Sequence, residues 1–224
     1  MRSKNYLVGL LLFAFTFLSC EFELENNKRI YFTGTVVDGQ GNPVPNVAVE
    51  YKERDYVLGY GVTDAAGDYA FYGMNGSDAD FTLQVNDMNA FYNADYVESV
   101  MDIENRDTSN DAHIQQDFTI RKRVFLRVDV VKTSSTTDTI HWRLEYPQPI
   151  CFTEFDDTIL VTANCYNVVF SEFIALSQEF PDAFQRVETV LGETAVLIYE
   201  FEDGVEHQIQ ITLDQENINY EFEY

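Results

Sequence analysis

From Arg29 onward, apolar and polar residues alternate over short runs closed by glycine, asparagine, aspartate and proline. A period of two predicts strands, because successive side chains of an extended backbone point to opposite faces. Residues 30–37, rich in β-branched and aromatic side chains, form the first such run, and the Asp38-Gly39-Gln40-Gly41-Asn42-Pro43 stretch supplies turn chemistry after it. Further strands follow at 47–51, 56–63, 68–72, 81–85 and 114–120, with Asp64-Ala65-Ala66-Gly67 as a hairpin turn.

The second half repeats the pattern. Strands are predicted at 124–131, 139–145, 165–170 and 194–201, then in the alternating runs 208–213 and 218–223. One segment, 172–180, reads as a helix instead, since Phe173, Leu176 and Phe180 recur at helical spacing and Pro181 would end it. The expected fold is therefore all-β: two consecutive β-sandwich domains, 29–121 and 122–224, meeting at the basic Arg121-Lys122-Arg123 cluster. The alternative is that the later strands extend the first sandwich into one larger unit.

The start of the chain follows a different pattern. Met1-Arg2-Ser3-Lys4 precedes an apolar run over 6–18 and then Ser19-Cys20, with acidic residues immediately after. The run is short for a membrane-spanning helix and has the length of an export-signal core. It resembles a bacterial lipoprotein signal peptide over 1–19. That resemblance implies lipid attachment at Cys20 and leaves 20–28 as an acidic tether. Glu21, Glu23 and Glu25 resemble the surface-export signals of Bacteroidetes-type lipoproteins, which implies a lipid-anchored location on the outer membrane, exposed at the cell surface.

A second resemblance lies further on. The spacings Gly34-x-Val36-x-Asp38-x-x-Gly41-x-Pro43-Val44, Val47-x-Val49 and Thr63-Asp64-x-x-Gly67-x-Tyr69-x-Phe71 are similar to those of the carboxypeptidase regulatory-like domain, a small prealbumin-like (transthyretin-like) sandwich. The likeness covers 29–121 and implies a non-catalytic structural or binding module.

Charge narrows the partners. With 38 acidic against 14 basic residues the formal net charge is −24, so nucleic acid and anionic lipid headgroups are repelled. A composition of 46% hydrophobic and 15% aromatic residues points to packed domains rather than a disordered acidic chain.

Catalytic signatures are weak. His113, His141 and His207 are isolated and none lies in a zinc-hydrolase motif. No nucleophile elbow or phosphate-binding glycine loop appears. Paired carboxylates of the glycosidase kind carry no signal among so many acids, leaving an accessory hydrolase with acidic catalytic residues in the C-terminal half as the alternative to a binding or assembly module, alongside a purely structural envelope subunit.

Between Asn86 and Asp111 a long polar segment carries Asp87, Asp95, Glu98, Asp102, Glu104, Asp107 and Asp111. Side-chain oxygens at this density make it a candidate calcium or ligand loop. Tyr92 and Tyr96 within it, or Trp142 further on, would suit a glycan-stacking groove. An outer-membrane protein is the other expected partner. Cys151 and Cys165 are a possible disulfide in an exported protein, but a hairpin turning at Asp156-Asp157 would place Cys151 beside Thr162. Finally, Asp138-Thr139-Ile140 and Asp157-Thr158-Ile159 resemble the Asp-Thr-aliphatic O-glycosylation sites of Bacteroidetes-type exported proteins.

Overall fold

The computed structural model describes residues 24–76, 80–87, 91–106, 113–135 and 138–224. Cys20, Asp107, Asp111 and the whole of 1–19 lie outside them. Among the described residues the chain is all-β and contains no helix.

The first half forms β1 (Leu24–Asp38), β2 (Ala48–Glu53), β3 (Tyr56–Val62), β4 (Asp68–Gly76), β5 (Phe81–Val85), β6 (Glu98–Glu104), β7 (His113–Gln115) and β8 (Phe118–Ile120). The second forms β9 (Arg123–Val131), β10 (Ile140–Pro147), β11 (Ile150–Asp156), β12 (Ile159–Cys165), β13 (Val168–Phe170), β14 (Ile174–Leu176), β15 (Ala183–Val190), β16 (Thr194–Glu200), β17 (Glu206–Thr212) and β18 (Asn217–Glu223).

Four sheets pack around two apolar cores. In the first sheet β1 is central, antiparallel to β4 and parallel to β7 and β8. It faces a six-stranded sheet ordered β12-β11-β6-β5-β2-β3. Alternation delivers Ile30, Phe32 and Val36 inward from β1, against Val49 and Tyr51 of β2 and Leu83 of β5. Aromatic rings interlock there, with Phe32 4.7 Å from Tyr51 and 5.0 Å from Phe71, ring centre to ring centre.

The second core lies between β15-β9-β18 and the sheet in which β13 and β14 both flank β10, followed by β16 and β17. Trp142 sits at its centre with Leu126, Leu144 and Leu197.

Turn chemistry falls where the residues demand it. Asp64 accepts hydrogen bonds from the backbone N–H groups of Ala66 (2.8 Å) and Asp68 (3.0 Å), and Gly67 takes φ 79°, a conformation that side chains with a Cβ resist. Asp38 does the same for the preceding turn, accepting from the N–H of Gln40 (2.8 Å) and Asn42 (2.9 Å). Burial alone would raise the Asp38 carboxyl, but the hydrogen bonds from Asn42 and Gln40 outweigh it and hold the pKa below its ordinary value.

Arg121-Lys122-Arg123 is the seam between the halves. Each side chain pairs with an acid of the second half: Arg121 with Glu193, Lys122 with Glu216 at 2.5 Å, and Arg123 with Glu188. Backbone bonds reach both ways, from Arg123 N–H to Asp95 carbonyl (2.8 Å) and from Leu191 N–H to Lys122 carbonyl (3.0 Å).

Three expectations are corrected. Residues 172–180 are not helical: Ile174–Leu176 is strand β14 on the edge of β10, Leu176 alone of the three periodic residues is buried, and Phe173 and Phe180 project outward. The strand expected at 114–120 is two short ones, β7 and β8, separated where Gln116 bonds back to β1. The long polar segment is interrupted by β6, whose inner face holds Met101 and Ile103 in the first core, so its outer-face acids are strand residues.

Candidate functional site

The feature of greatest consequence is a hairpin from the second half that sits on the first half's sheet. Strand β11 runs parallel to β6, from Ile150 opposite Glu98 to Asp156 opposite Glu104. Cys151 is buried beneath it and Phe155 packs against the first core, so the inner face of β11 anchors the hairpin. The Asp157 N–H donates to the Glu104 carbonyl at 2.7 Å and fixes the tip.

The turn falls at Asp157-Thr158, one residue later than Asp156-Asp157, with Asp157 at φ 55°. The later turn moves the partner of Cys151 from Thr162 to Asn164, and a bulge that shifts the register between Glu154 and Phe155 moves it one further, so that Cys151 lies opposite Cys165. A disulfide joins the two. Closing a loop of this size contributes about 3 kcal/mol on a chain-entropy account.

Strand β12 pairs only with β11 and forms the end of the sheet. Its seven residues, Ile159–Cys165, carry no charge, and Ile159, Leu160 and Val161 are 70%, 52% and 58% exposed. Edges are ordinarily protected by lysine, proline or a covering segment. Among the described residues no strand covers this one. The Tyr166 N–H donates to the Ile150 carbonyl at 2.9 Å. Antiparallel alternation then turns the N–H and C=O of Ala163 away from β11, toward the open edge.

The candidate acids among the described residues do not converge. Asp87 is buried against the Lys52 ammonium, which also lies 2.9 Å from Glu50. Burial alone would lower the Lys52 pKa, but hydrogen bonds to Asp87 and Glu50 overcome that and raise it. Asp102 accepts from the Thr82 hydroxyl at 2.5 Å, Glu98 from the Gln84 amide, and the Glu104 carbonyl from Asp157. Asp95 lies at the seam, where its carbonyl meets Arg123. No group of three or more metal-binding side chains forms among the described residues.

The expected glycan groove is not assembled either. Trp142 is wholly buried in the second core, Tyr96 packs against the first, and Tyr92 lies under the Arg123 guanidinium at 5.3 Å. The Tyr92 and Tyr96 hydroxyls are both pushed up, chiefly by burial. Of the two Asp-Thr-Ile sites, Thr158 is exposed at the hairpin tip while Thr139 is half-buried. The open edge of β12 is not readable from the residues, because its period-two pattern is weak and β11, which carries it onto the sheet, pairs with a strand about fifty residues upstream.

No protein-family model matches the chain, and no curated protein matches it. Among solved structures, it is similar to the TIE protein of Bacillus anthracis at 13% identity, covering 88% of this chain and 34% of that one, with a TM-score of 0.35. The chain thus spans about a third of that protein's length. It is also similar to the tip fimbrial protein Mfa3 from Porphyromonas gingivalis, at 8% identity over 82% of each chain with a TM-score of 0.31. A streptococcal ancillary pilin shares 11% identity over 88% of this chain and 63% of its own, with a TM-score of 0.31.

Proposed function

We propose that this protein is a non-catalytic cell-surface assembly module, tethered to the outer membrane by lipid on Cys20, which takes up an extended segment of a partner protein along the free edge of β12. The observation that carries the reading is the uncharged, exposed edge strand itself. Strand addition draws affinity from main-chain hydrogen bonds, which an open edge supplies, and specificity from the side chains beside it, here the exposed Ile159, Leu160 and Val161. The half-buried anchor at Phe155 and the disulfide at the far end hold the edge rigid, so little ordering is needed on binding.

Charge selects the occupant. Two copies pairing through β12 would bring together two chains of −24 with Glu154, Asp156 and Asp157 beside the junction. An uncharged or basic segment with apolar residues at alternate positions fits instead. The carboxypeptidase regulatory-like resemblance of 29–121 supports the same non-catalytic role.

Two tests follow. A photoreactive phenylalanine analogue at position 160 of the full chain, irradiated in intact cells, is expected to give an adduct with another protein, and Ala163→Pro is expected to abolish it while leaving the fold intact. That substitution removes an N–H that only the incoming strand would use. An adduct that persists in Ala163→Pro, or one formed only between copies of this chain, would overturn the reading. For the anchor, metabolic labelling with radioactive fatty acid is expected in the parent chain and absent in Cys20→Ser; equal labelling of both would remove Cys20 from the account.

A further inference from the structure

A second surface, independent of β12, lies on the outer face of β15-β9-β18, where a groove of about 420 Å³ opens. Strand register lays out its floor. Arg186, Arg127 and Asn219 form one row across the three strands, and Glu188, Phe125 and Asn217 form the next. Arg186 and Arg127 stand directly opposite one another, an arrangement that costs stability unless something negative bridges it. Asp129 serves Arg127, accepting from Nε at 2.7 Å and Nη2 at 2.6 Å. Glu188 is taken by Arg123. Arg186 is exposed and forms no ion pair among the described residues.

The groove therefore presents a guanidinium with no contact ion pair, felt by Asp129 only through space, on the surface of a chain that is otherwise strongly acidic. A guanidinium has five N–H donors, and Asp129 uses two of those on Arg127, so both arginines retain donors facing the same space. Phe125 exposes its ring on one side, and Phe184 lies under the Arg127 guanidinium at 4.3 Å on the other. The exposed amides of Asn217 and Asn219 can each donate and accept.

We propose that this groove binds a carboxylate-bearing saccharide, a uronic or sialic acid unit of a glycan. Arg186 and Arg127 hold the carboxylate through paired N–H donors, the geometry to which guanidinium is suited. The asparagine amides answer ring hydroxyls, which are donors and acceptors at once, and Phe125 packs on the C–H face of the ring. Charge complementarity chooses the single negative charge of a carboxylate over a phosphate, because Glu188 and Glu221 stand close by and would repel the larger charge.

The test is calorimetric titration of the purified full chain with tetragalacturonate, with its methyl-esterified counterpart, and with sialyllactose. Binding of at least one acidic saccharide is expected, with a loss of tenfold or more in affinity for the ester and for the acid in Arg186→Gln. Ala163→Pro, which blocks the β12 edge, is expected to bind as the parent does, so failure of either proposal leaves the other standing. Equal binding of acid and ester, unchanged affinity in Arg186→Gln, or no heat from any acidic saccharide would overturn the assignment. So would tighter binding of an acetylated peptide through its free C-terminal carboxylate, lost in Arg186→Gln.

Discussion

Lys52→Met is expected to lower stability by about 3–5 kcal/mol, the range for removing one partner from a buried ionic cluster. The Lys52 side chain is 15% exposed and lies between Glu50 and Asp87, whose side chains are 3% and 9% exposed. Methionine keeps the apolar stem but strands two carboxylates away from water, and Lys52 Nζ also gives up its 2.5 Å hydrogen bond to Gln84. The sign with pH is opposite to that of an acid. Because its folded pKa is raised above 10.5, the contribution of Lys52 is complete below that value and is lost as pH rises through the folded pKa. Denaturant unfolding of parent and variant should thus differ most near neutral pH and converge in strong alkali. A difference under 1 kcal/mol at pH 7 would show that the cluster is solvated. In the same cluster the Lys52 ammonium is the cation that stands against Asp87.

The second large effect is Trp142→Ala, also expected to cost about 3–5 kcal/mol, since a fully buried ring leaves a cavity that the β10 backbone cannot collapse into. Its Nε1 is buried with no hydrogen-bond partner among the described residues. Trp142→Phe should therefore be mild, within about 1.5 kcal/mol, because it removes an unpaired donor along with the lost volume. Thermal or denaturant melts of the three proteins check the order. A mild Trp142→Ala would mean that the second core is not organised around this ring.

These two residues show how far the amino-acid pattern could be read. Wherever alternation is strict, as in Ile30-x-Phe32 of β1 or Val124-x-Leu126-x-Val128 of β9, side-chain periodicity and burial agree. The turn residues Asp38, Asp64 and Gly67 were equally legible, since each satisfies a local backbone need. Gly34 illustrates a motif position whose reason emerges only in three dimensions: a Cβ there would lie 1.7 Å from the Gln116 carbonyl oxygen, where β7 leaves β1.

What local pattern cannot encode is which strands meet. Phe173, Leu176 and Phe180 mimic a helical stripe, yet the segment gains more by hydrogen bonding to β10, and Phe173 instead covers the Arg143 guanidinium at 4.5 Å. Trp142 looked available for a sugar because its type is common in such sites, whereas its place on an inward β10 position decides otherwise. The parallel pairing of β11 with β6 is a long-range event between two weak patterns. Nor can local pattern show the bulge that, together with the turn position, brings Cys151 opposite Cys165. The arginine row of β15-β9-β18 likewise exists only once the register of three separate strands is known.

The edge of β12 is the proposed docking strand. Amide hydrogen exchange at Ala163, followed in the purified full chain and in the same chain within isolated outer membranes, tests this most directly. The expected result is fast exchange in the purified protein, where that N–H faces solvent, and strong protection in the membrane, where an incoming strand accepts from it. Equally fast exchange in both would contradict strand uptake, and protection already present in the purified chain would mean that the edge is not open.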